Sequence, residues 1–198
     1  MSKFDASHQS VWKHWEDLDR MNACRKQIET GLKELALKAL GALHKKHESD
    51  FVRYEKLTKE GWFDMFPALL KNWKKSGNSL LSVGVERIAA ENLHSASQYP
   101  CLAYVYSSYR NGAKDDTSTD PFCSLNCPPG FRKTFDELDR GYIFTRELKP
   151  LTPAEICNPQ TLEQYFTEPL TKLIKWYKSN ESTILKNFGV TRGKKSQG

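Results

Sequence analysis

Residues 100–109 read Pro-Cys-Leu-Ala-Tyr-Val-Tyr-Ser-Ser-Tyr. β-Branched and aromatic residues fill the stretch, a proline opens it, and Asn111-Gly112 follows shortly after. Such residues pack well on a pleated surface, and Asn-Gly favours the tight turns that end strands. The chain therefore contains a sheet. Two neighbours extend it. Ser79–Ile88 places Leu81, Val83 and Val85 on alternate positions, although Leu81, Val85 and Ile88 also fit one helical face. Tyr142–Leu148 supplies a third apolar run. Three strands set among helical segments, without regular strand–helix alternation, predict an α+β fold with a small, mostly antiparallel sheet of about three strands.

On the amino-terminal side, Val11, Trp15, Leu18, Met21, Cys24, Ile28, Leu32, Leu35, Ala39 and Ala42 recur at steps of three and four. That spacing makes one apolar stripe on a long helix. Leu37, Leu40 and Leu43 widen the stripe in its second half, which should be packed on both sides. The first half is expected to stand out as an arm or to pair with another chain, a second copy included. Further on, Asp64 is placed to cap a helix starting near Pro67, with Phe66, Leu69, Leu70 and Trp73 inward and Lys71, Lys74 and Lys75 outward.

On the carboxyl-terminal side, Thr152-Pro153-Ala154-Glu155 is a capping box with proline at the first helical position. Asn158-Pro159 opens a longer helix in the same way. Its stripe runs through Leu162, Phe166, Leu170, Leu173, Tyr177 and Ile184, with Pro169 inside it. The expected organisation is a helical arm over 1–49, an α+β core over 50–188 and a mobile tail over 189–198.

The 198 residues include 23 aromatics, enough to build a core and to set disorder aside. No run approaches the roughly 18 apolar residues of a membrane helix, and Met1–Ala6 has none of the features of a secretory leader. Five cysteines, an odd number scattered along the chain, suit a reducing compartment, so a cytoplasmic protein is expected. The net charge of +6 is uneven. Residues 1–76 carry 15 basic against 11 acidic side chains, 77–158 carry 8 against 10, and 159–198 carry 7 against 3. Basic ends suit an acidic partner, protein or nucleic acid, and equally describe solvated helix faces.

Candidate binding residues follow from two patches where aromatic and basic residues interleave, a mixture that stacks bases and neutralises phosphates. The first is Trp12-Lys13-His14-Trp15; the second is Lys172 with Lys175-Trp176-Tyr177-Lys178. Trp15 and Tyr177 fall on apolar stripes, which leaves Trp12 and Trp176 as the exposed aromatics. Lys71, Lys74 and Lys75 add a third basic cluster.

Catalytic signatures are sparse. Neither a glycine-rich phosphate loop nor a Gly-x-Ser-x-Gly elbow is present, so nucleotide-driven or acyl-transfer chemistry finds no support, and no cofactor is expected. Divalent-metal phosphodiester cleavage needs carboxylates converging near strand ends. Glu86 is the best single carboxylate, with Asp115, Asp116 and Asp120 as partners in the stretch from Arg110 to Arg140. That stretch reads as a loop of about thirty residues, long enough to suggest function. It also holds Cys123-Ser-Leu-Asn-Cys127, half of a zinc site if Cys101 or Cys157 were to complete it, against plain thiols. His44 and His47 share a helix face three apart and read as solvated helix-end groups. The leading expectation is a non-enzymatic interaction protein with a macromolecular partner. A metal-dependent nuclease and a zinc-stabilised binding module are the alternatives.

Overall fold

The structure, a computed structural model, describes residues 6–53, 61–70, 74–75, 78–79, 81–93, 99–107, 122, 125–134 and 141–187. In chain order it comprises helices α1 (Ala6–Lys13) and α2 (Trp15–Lys45), then strands β1 (Phe51–Arg53) and β2 (Phe63–Pro67). A tight helical turn (Ala68–Leu70) leads to β3 (Lys74–Lys75), β4 (Asn78–Ser79) and β5 (Ser82–Glu86). A second such turn (Ala90–Leu93) precedes β6 (Leu102–Tyr106), β7 (Arg132–Lys133) and β8 (Tyr142–Glu147). Helices α3 (Pro153–Ile156) and α4 (Pro159–Asn187) complete the described chain. The expected tail over 189–198 lies outside the described residues.

The α+β class holds, but the sheet is larger than expected. Six strands pair antiparallel in the order β1-β2-β5-β6-β8-β7, and β3 and β4 form a separate two-stranded ribbon. Three of the six escaped the sequence reading for physical reasons. Phe63-Asp64-Met65 alternates and pairs with Val85-Gly84-Val83, so Asp64 belongs to a strand rather than capping a helix. Pro67 closes that strand, Ala68–Leu70 make a tight helical turn and Lys74–Lys75 are strand, so among the described residues the helix expected there does not form. Lys74 and Lys75 pair with Ser79 and Asn78 instead. The stretch from Arg110 to Arg140 is not one long loop, since it contains the edge strand β7. Residues 82–86 are strand, which resolves the ambiguity of that segment.

The pleat gives the large sheet two unlike faces. Phe63, Met65, Val83, Val85, Ala103, Val105 and Phe144 are buried in the main core, together with Phe166, Leu170, Leu173 and Tyr177 of α4. Phe51 and Tyr177 meet edge to face with centroids 5.2 Å apart, as do Phe144 and Trp176 at 5.3 Å. Leu32, Ala36 and Leu40 bring the second half of α2 into the same core. Both carboxyl-terminal helix starts form as read. Thr152 and Glu155 make a reciprocal capping box, and Asn158 Oδ1 accepts from the amides of Gln160 and Thr161. Among the described residues, no helix is long and apolar enough to cross a membrane.

Candidate functional site

Helix α2 is the first site to consider, because its two halves meet different surroundings. Leu32, Ala36, Ala39 and Leu40 are buried, Leu40 completely. Along the same stripe toward the amino terminus, Met21 is 66% exposed and Ile28 is 45% exposed. On α1, Val11 is 47% and Trp12 77% exposed. Single exposed apolar residues are ordinary; several in series along a helix are not. Beside this stretch lies a groove of about 900 Å³, lined by Met21, Cys24, Ile28, Leu93, Tyr99 and Ile156 among others. Its rim carries Arg20, Arg25, Glu29 and Glu91. Arg25 Nε pairs with Glu29 Oε1 at 2.8 Å, an exposed contact of little energetic weight.

The second site lies on the sheet face away from α4. Asp64 pairs with Gly84, and Glu86 is two residues on from that glycine, so both carboxylates point to the same face. Tyr142 donates its hydroxyl to Glu86 Oε2 at 2.5 Å, and Arg87 Nε stands 3.3 Å from Oε1. Glu86 is only 1% exposed. The Asp64 carboxylate accepts from the hydroxyls of Ser82 and Tyr104 and from the amide of Met65. Although Asp64 keeps some exposure as a residue, its Oδ1 is enclosed without a hydrogen-bond partner. Burial pushes the Asp64 carboxyl up to about 7, an effect only partly offset by those hydrogen bonds and reinforced by the nearby Glu86 charge. Burial also raises the Tyr104 hydroxyl well above its ordinary value.

Close packing explains two glycines here. A Cβ at Gly84 would stand 2.5 Å from the Phe63 carbonyl oxygen and 2.7 Å from the Tyr104 hydroxyl, so only glycine lets that ring cross the strand. At Gly141 a Cβ would collide with the ring of Tyr106. Rings then pack edge to face across the sheet, Tyr106 to Tyr142 at 5.4 Å, Tyr142 to Tyr104 at 5.5 Å and Tyr104 to Trp62 at 6.5 Å. Immediately after Glu86, Arg87 adopts φ 58°, a left-handed conformation that costs a non-glycine residue roughly 1 kcal/mol or more. Its carbonyl accepts from Asn92 Nδ2 at 3.1 Å, and its guanidinium lies 5.9 Å from the Tyr99 ring centroid.

Other expected site residues fare unequally. Trp12 and Lys13 are exposed as read. Trp176 is not: it is 6% exposed and donates Nε1–H to the Asn126 carbonyl at 2.7 Å. It follows Pro169 and Leu173 at helical steps, so it widens the buried stripe despite its lysine neighbours. Lys175 is exposed, whereas Lys172 pairs with Glu168 at 2.5 Å and Lys178 with Asp50 at 2.6 Å. The side chains of Lys74 and Lys75, and the whole of Lys71, Asp115, Asp116, Asp120 and Cys123, lie outside the described residues. Cys127 donates its thiol to the Phe131 carbonyl at 3.0 Å, and burial raises its pKa, which disfavours the thiolate a metal needs. His44 is not free in solvent, since its Nε2 meets the Phe51 carbonyl oxygen at 3.0 Å. Among the described residues, no three His, Cys, Asp or Glu side chains group closely enough to hold a metal ion.

Sequence reasoning found Glu86 but missed its surroundings. Asp64, Ser82, Tyr104 and Tyr142 come from four strands, and only antiparallel pairing brings them together. The available signals were the alternation around Asp64 and a glycine inside a strand. No family model matches the chain, no curated protein matches it, and no solved structure matches it.

Proposed function

We propose that this chain is a non-enzymatic interaction protein whose working surface is the amino-terminal half of the α1–α2 helical arm and the groove beside it. One observation carries the proposal. Leu32, Ala36, Ala39 and Leu40 of α2 are buried, whereas Met21 and Ile28 earlier on the same helix, and Val11 and Trp12 on α1, are exposed. Val11, Met21 and Ile28 are each about half exposed, so covering them would gain roughly 1 kcal/mol apiece and favours association. The partner is another macromolecule presenting an apolar ridge. Attraction of an acidic partner to Lys13 and Lys175 is a secondary contribution, because Lys172, Lys178 and Arg132 already pair with Glu168, Asp50 and Glu147 within the chain. The free thiols Cys24, Cys101, Cys127 and Cys157 support placing it in a reducing, cytoplasmic setting.

Affinity capture from the native host, with wild type and with a Met21→Asp, Ile28→Asp double variant, tests this. Partners retained by wild type should be lost by the variant while its circular dichroism is unchanged. Retention of every partner by the variant would remove the proposal.

A second reading, metal-assisted phosphodiester cleavage, draws support from the convergence of Asp64 and Glu86 on one sheet face. Incubation with plasmid, single-stranded DNA and RNA plus Mg²⁺ or Mn²⁺ decides it. Cleavage abolished by Asp64→Asn or Glu86→Gln would promote this reading over the first; absence of cleavage in wild type would end it.

A further inference from the structure

We draw no further inference here: the strongest candidate, the apolar groove lined by the first half of α2 and the turn Ala90–Leu93, carries nothing beyond the proposal above, because nothing in the structure shows what covers it.

Discussion

The two halves of helix α2 are built on the same repeat and meet opposite fates. From Leu32 to Leu43 the stripe faces α4 and the sheet, and Leu32, Ala36 and Leu40 belong to the main core. From Leu18 to Ile28 the same periodicity continues, yet Met21 and Ile28 face water. Periodicity thus specifies a helix and says nothing about where its partner comes from. The difference lies in what surrounds the helix: the second half widens its stripe with Leu37 and Leu43, and α4 crosses beneath it.

Substitutions on the two halves should differ by several kcal/mol. Leu40→Ala, at a completely buried position, should cost about 2–5 kcal/mol in urea unfolding of the dilute chain. A loss below about 1 kcal/mol would mean that the second half is not anchored as described. Away from the helix, Asp64→Asn probes the polar sheet face. A carboxyl raised to about 7 in the folded chain, against an ordinary value of 3.8, binds its proton more tightly when folded. Stability should therefore fall as pH rises from about 4 to about 7 and level off above that. The variant should abolish that slope and be more stable at pH 8 by up to about 4 kcal/mol, measured as thermal unfolding against pH. An unchanged slope would place the titrating group elsewhere. Thr152→Ala, which removes one arm of the capping box, should cost about 1 kcal/mol. Smallest of all, Met21→Ala should change the stability of the monomer by no more than about 0.5 kcal/mol. A cost near that of Leu40→Ala would show that Met21 already has a partner within its own chain.

Local signals were legible and pairing was not. The capping box at Thr152–Glu155 and the Asn158 cap depend on neighbours a few residues away, and both form as the sequence indicates, whereas the apolar stripe expected on one helix from Val11 is divided between α1 and α2 by a break at His14. Phe63–Pro67 was misread because aspartate followed by proline is the common start of a helix, whereas here they lie in a strand held by its pairing with β5. Tyr142 meets Glu86 across 56 positions, a distance no spacing rule spans. Trp176 was misjudged because flanking lysines outweighed its step from Leu173, and the hydrogen bond that permits its burial comes from Asn126, fifty residues away.

Amide hydrogen exchange along α2 in the dilute, isolated chain tests most directly whether the arm is a surface awaiting cover. Protection should rise in a step between Ile28 and Leu32, with low values before it and near-global values after, because among the described side chains of α2 the fully buried ones begin at Leu32. Uniformly high protection from Ser10 to Lys45 would mean that the first half is already held, and would contradict the assignment of that stripe to a partner.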